Sequence, residues 1–149
     1  MKIFMQLFTV CIFSILLQVT CEKSTVGINP ENSNVEDLLN HEWELYLVRS
    51  EDGSKNQINS QDIFNINFAP NDTLAGIVDC NSYASGYTAK DGGEIQIGPV
   101  IAMTEVYCGE ESFDEKFMNS LLAAKVYEVD SQILKLGYGS EGILYFRKK

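Results

Sequence analysis

Apolar side chains recur at every second position in one segment after another of this chain, a rhythm that restricts it to a fold built on half-buried β-strands. Trp43, Leu45 and Leu47 alternate with Glu44 and Tyr46. Phe64, Ile66 and Phe68 alternate with Asn65 and Asn67, the stretch Ala69-Pro70-Asn71-Asp72 breaks the run, and residues 74–80 resume it, which spells a hairpin. A strand over 82–88, the tight-turn sequence Asp91-Gly92-Gly93 and the run Glu94-Ile95-Gln96-Ile97 make a second hairpin, closed by Gly98-Pro99. Residues 126–129, 133–138 and 143–147, separated by turns at Asp130-Ser131 and at 139–142, complete the set.

One segment keeps a different period. Ser112 and Glu115 have the spacing of a capping box, in which hydroxyl and carboxylate each take one orphan amide of a first helical turn. Phe113, Phe117 and Leu121 then lie on one helix face, with Leu122 and Lys125 one residue further round, so a helix is expected over 113–124. Strands before and after one helix, joined by short turns, predict an α+β domain. The expected architecture is an antiparallel β meander curved into a partly open barrel, with the single helix packed against its open side.

Ahead of this body, Met1 and Lys2 lead into an apolar run over 3–17, interrupted only by Gln6, Thr9 and Ser14. A run of about 15 residues falls short of the roughly 20 that cross the hydrocarbon core of a bilayer. A cationic start, an apolar middle and a polar continuation at Glu22 and Lys23 form the layout of a secretory signal peptide. Residues 1–20 are expected to be that signal. Residues 21–40, rich in Ser, Asn, Glu and Gly, are expected to be a flexible tether, because such a composition buries too little apolar surface to order itself. Residues 41–149 remain as one domain with a single core.

Export decides how the four cysteines are read. Cys11 falls inside the signal. Cys80 and Cys108 are the only two in the body, and in an oxidising compartment two cysteines most simply pair; two separate buried thiols are the alternative. Cys21 follows Leu16-Leu17-Gln18-Val19-Thr20, which resembles a bacterial lipobox, whose cysteine becomes the lipidated first residue of the mature protein. That reading anchors the protein through a lipid on Cys21 to a membrane of the bacterial cell envelope, facing the periplasm or the surface. Gln18 and Thr20 depart from the Leu and the small residue usual in the box, so an ordinary cut releasing a soluble secreted protein is the alternative.

Charge and motif content exclude several functions. Twenty-one Asp and Glu against eleven Lys and Arg give a net charge of −10, which repels phosphate backbones and argues against a nucleic-acid partner. The single histidine, His41, stands at the start of the first strand beside Glu42, and no His-x-x-x-His, Cys-x-x-Cys or Gly-x-Ser-x-Gly spacing occurs. No catalytic residue, metal or cofactor is expected. The cluster Glu110, Glu111, Asp114 and Glu115 sits where a helix N-terminus favours negative charge by about 0.3–1 kcal/mol per group. A carboxylate pair for hydrolysis, or a calcium site, is the alternative there. Tyr83, Tyr87, Tyr107, Tyr127 and Tyr138 are expected to pack in the core and across strands, with a ligand-lining role as the alternative.

The most specific stretches are Cys80-Asn81-Ser82-Tyr83-Ala84-Ser85-Gly86-Tyr87, then Ile95-Gln96-Ile97-Gly98, then Thr104-Glu105-Val106-Tyr107-Cys108. With Trp43-x-Leu45, a helix bearing Phe117 and Leu121, and the endings Leu134-x-Leu136 and Leu144-x-Phe146, they resemble the META domain, the HslJ-like family of bacterial envelope proteins, over residues 40–148. The family pattern is Gly-Cys-Asn-x-Tyr-x-Gly-x-Tyr followed by Thr-x-Met-x-Cys before a helix. Cys80, Asn81, Tyr83, Tyr87, Thr104 and Cys108 match it; Asp79 and Ser85 stand where Gly is usual, and Val106 where Met is usual.

The resemblance implies a small exported or lipid-anchored β-rich domain associated with envelope or heat stress, with no catalytic residues to carry over. It is expected to be a monomer whose partner, an envelope protein or a ligand, is not named by the sequence. Asn81 and Thr104 are expected to satisfy backbone groups at strand ends, a polar recognition site there being the alternative. A secreted small-ligand-binding or protease-inhibiting β domain is the second functional hypothesis.

Overall fold

The computed structural model describes residues 27–59 and 63–149. Two single-turn 3-10 helices, Pro30–Asn32 and Val35–Asp37, lead into β1 (Glu42–Arg49), β2 (Lys55–Gln57), β3 (Phe64–Ala69), β4 (Thr73–Val78), β5 (Asn81–Lys90) and β6 (Glu94–Met103). Helix α1 (Asp114–Leu122) follows, then β7 (Ala124–Asp130), β8 (Ile133–Tyr138) and β9 (Gly142–Lys148).

Among the described residues every named strand pairing is antiparallel, and the order β1-β3-β4-β5-β6-β7-β8-β9 closes when β9 pairs back onto β1, from Trp43 opposite Lys148 to Arg49 opposite Ile143. The result is an eight-stranded closed barrel with one helix. Strand β2 lies outside the ring, beside the second half of β1, whose first half is taken by β3. The ring is thinnest between β6 and β7, where the pair Glu94–Val126 and the Tyr127 amide donating to the Gly93 carbonyl at 2.7 Å join the strands. Because β7 starts only at Ala124, the second half of β6 runs past it. Helix α1 lies on this side and packs against β4, β6, β8 and β9.

Eight strands enclose an interior just wide enough for side chains to fill. Trp43, Ile66, Phe68, Leu74, Leu134 and Phe146, the inward members of their strands, are fully buried. The helix contributes Phe117, whose ring meets Phe64 at 5.3 Å and Phe146 and Tyr83 at 6.4 Å between centroids.

Four details depart from the expectations above. The segment expected as tether is folded from residue 27 onward. Leu38 is fully buried, Ile28 and Ser33 are buried, and the Trp43 indole N–H donates to the Leu38 carbonyl at 3.1 Å. Its few apolar residues suffice because the barrel offers a surface to receive them, and residues 22–26 lie outside the described set.

Secondly, β6 does not end at Gly98-Pro99. A register shift opposite Ser85–Tyr87 absorbs the proline, which has no amide to give, and the strand continues to Met103. Thirdly, the helix spans Asp114–Leu122, since Ala124 is already paired with Tyr138. The expected capping box is half formed: Ser112 Oγ accepts the Asp114 amide of the first turn at 3.3 Å, but the bond expected of the Glu115 carboxylate is replaced. Ser112 Oγ at the same time donates to Asp79 Oδ2 at 2.6 Å, and the Glu115 amide is taken by Asp114 Oδ1 at 2.6 Å.

Candidate functional site

The motif residues converge at one end of the barrel, where β4 passes into β5 and the loop 104–112 crosses back over them. Cys80 and Cys108 form a disulfide, with Cα atoms 5.6 Å apart. Asn81, between them in space and 2% exposed, uses both ends of its amide. Its Oδ1 accepts from the Val106 amide at 2.7 Å and from Thr104 Oγ1 at 2.9 Å, while Nδ2 donates to the Val106 carbonyl at 2.9 Å. Thr104 Oγ1 in turn accepts the Ser82 amide at 3.0 Å, and the Thr104 amide donates to the Ser82 carbonyl at 3.0 Å. Asn81 and Thr104 thus replace a strand ladder with side-chain bonds where β6 has ended. The loop is latched twice, covalently and by hydrogen bonds.

Asp79 completes this corner. Its φ of 55° lies in the left-handed region, which glycine enters freely and Asp and Asn tolerate best among other residues. That is why the family pattern has Gly here. Asp79 adds what Gly lacks, a carboxylate that holds Ser112 at the foot of α1. Ser85, at the other Gly position, is fully buried, and its single hydroxyl proton is shared between the Gly86 and Pro99 carbonyls, 3.1 and 3.0 Å from Oγ, pinning the register shift in β6.

The tyrosines divide. Tyr83, Tyr87, Tyr127 and Tyr138 each donate the hydroxyl to a backbone carbonyl, of Asn65, Ala69, Lys90 and Arg49 respectively, at 2.9–3.2 Å. Tyr83 reaches Asn65 across Gly76, where any Cβ would strike the Asn65 carbonyl. Burial pushes the Tyr83 phenol far above its ordinary range; burial and then Asp72 raise that of Tyr87; burial, with Asp91 and Asp37, pushes Tyr127 up to about 12. Tyr107, expected with them, instead projects into solvent at 77% exposure because it rides on the latched loop.

His41 meets Trp43 edge-on at 6.0 Å. Glu110 and Glu111 line an open polar cavity of about 490 Å³ with Asp79, Ser112 and Phe113, and among the described residues no three His, Cys, Asp or Glu side chains are grouped to hold a metal. A second, shallow and mainly apolar groove of about 340 Å³ runs along Ser82, Ala84, Ala102 and Thr104. Cys21 lies outside the described residues. Sequence reasoning missed Asp79 and Ser112 as partners; the signal was the departure of Asp79 from Gly.

A disulfide-latched, closed antiparallel barrel with one helix at its thin junction is the class that fold and site define. The META domain family matches residues 36–149, and the chain belongs to it. By fold the chain is similar to a protein from Burkholderia xenovorans solved by NMR, with TM-score 0.66 and 19% identity, covering 76% of this chain and 85% of that one. It is also similar to a DUF4847 family protein from Bacteroides vulgatus in a crystal structure, with TM-score 0.59 and 16% identity, covering 75% and 94%. No curated protein matches the chain.

Proposed function

We propose that this protein is a non-enzymatic lipoprotein of the bacterial envelope, anchored through Cys21, whose META domain binds another envelope component and supports stress tolerance. The observation that carries the binding role is the use made of the motif's polar groups. Asn81, Thr104 and Ser112 are all committed to holding loop 104–112 in place. A loop fixed so firmly, with Val106 and Tyr107 left exposed on it at 58% and 77%, is organised for presentation rather than for chemistry. The Cys80–Cys108 disulfide fits an oxidising compartment, in keeping with the export signal and the lipobox-like Cys21.

The anchor is tested by globomycin treatment and by labelling with a fatty-acid probe. Accumulation of the unprocessed form and label lost in Cys21→Ala are expected; a soluble mature protein with unmodified Cys21 would refute the anchoring. The binding role is tested by pull-down from envelope extracts with wild type and Cys80→Ser. A specific partner retained by the first and weakened in the second is the expected outcome.

A further inference from the structure

Strand β6 ends in Pro99-Val100-Ile101-Ala102-Met103, five consecutive apolar residues that are all exposed, Ile101 at 66%. A barrel strand ordinarily alternates core-facing and solvent-facing residues. Here none of the five is buried, Val100 and Met103 being 37% and 38% exposed, and β7 starts too late to pair along the stretch. One edge is occupied by β5, with Tyr83 opposite Met103 and Ser85 opposite Val100. Along the other edge, among the described residues, no strand is paired over 99–103, the single β6–β7 pair being Glu94–Val126. Exposed Val106 and Tyr107 extend the patch beyond the strand end. Such an edge presents unpaired backbone groups to any extended chain.

Charge selects the chain that fits. Residues 95–104 carry none, while the whole stretch between Lys90 and Lys116 holds seven carboxylates and no cation. Glu105, Glu110 and Glu111, just past the strand, are exposed. A second copy would set the same carboxylates beside these. We propose that the outer edge of β6 at residues 99–103 binds an extended segment of a partner protein by strand addition, the segment being apolar and flanked by Lys or Arg. This deepens the binding reading above, and rests on it, by naming the partner's chemistry.

Fluorescence anisotropy tests it with the full-length chain and two labelled probes, Lys-Lys-Val-Thr-Val-Thr-Val-Lys-Lys and its counterpart with Glu for every Lys. The Lys-flanked probe should bind about tenfold or more tighter than the other, and more weakly as salt rises. Ile101→Lys, and separately the triple variant Glu105→Gln, Glu110→Gln, Glu111→Gln, should each weaken it by about tenfold. Both alter exposed side chains, and the fluorescence of the single tryptophan, Trp43, verifies that the barrel is intact. Equal binding of the two probes, absence of binding, or binding unchanged in Ile101→Lys overturns the proposal. A concentration-dependent dimer abolished by Ile101→Lys, with no probe bound, overturns it in favour of a second copy. An envelope partner captured equally by wild type and Ile101→Lys leaves the binding reading standing and removes only the edge. Selective probe binding alongside an empty pull-down supports the edge and counts against the envelope partner.

Discussion

Asn81 carries more of the site than any other residue, because one buried amide satisfies both backbone groups of Val106 and the hydroxyl of Thr104. Removing it leaves the Val106 amide and carbonyl, half covered by Asn81, without their side-chain partners. Asn81→Ala should cost about 1–3 kcal/mol in urea unfolding, and Thr104→Val about 1 kcal/mol. The tyrosines make stability depend on alkaline pH. Tyr83 and Tyr127 keep their protons in the folded chain above the pH, near 10, at which the unfolded chain releases them. Below pH 10 both states are protonated and the stability is complete. Above it the unfolded state binds fewer protons, so stability falls by about 1.4 kcal/mol per pH unit for each such tyrosine. The fall continues until about pH 12 for Tyr127. Urea midpoints measured from pH 8 to pH 12 should show this decline. Tyr83→Phe should lower stability by about 1 kcal/mol at neutral pH and make the decline shallower.

At the level of elements, the segment 27–40 belongs to the barrel although its composition reads as linker. Leu38 under Trp43 ties it to the adjoining β1, and the Ser33 hydroxyl accepting the Val129 amide at 3.2 Å ties it to the distant β7. Leu38→Ala should therefore destabilise by about 2–5 kcal/mol, as a core truncation does, where a tether residue would cost almost nothing; thermal unfolding distinguishes the two. Strands β3, β4, β5, β8 and β9 were legible because alternation and turn residues are local signals. Strand β2 was not, since Lys55, Asn56 and Gln57 are all exposed and have no apolar face to reveal. The capping box was legible only in its local half, Ser112 accepting the Asp114 amide, whereas the Asp79 carboxylate that takes the Ser112 proton comes from 33 residues away.

For the whole molecule, the disulfide closes a 28-residue separation that spans β5, β6 and the latched loop. The chain-entropy account makes that closure worth about 3–4 kcal/mol, so reduction or Cys80→Ser should lower the unfolding free energy by that amount. Hydrogen exchange should show loop 104–112 losing protection before the β8–β9 hairpin does. What the sequence by itself determined is what depends on near neighbours. The two-residue period set the strands, the Pro, Gly and Asp clusters set most of the turns, the Phe113-Phe117-Leu121 face set the helix, and the presence of only two cysteines in the body narrowed the bridge to one pair. Only the tertiary structure decided where the ring would be thin, which polar groups would be consumed in the latch, and that β6 would outrun β7 to leave residues 99–103 uncovered. These depend on which distant strand happens to start or stop alongside, and strand alternation carries no record of a partner's length.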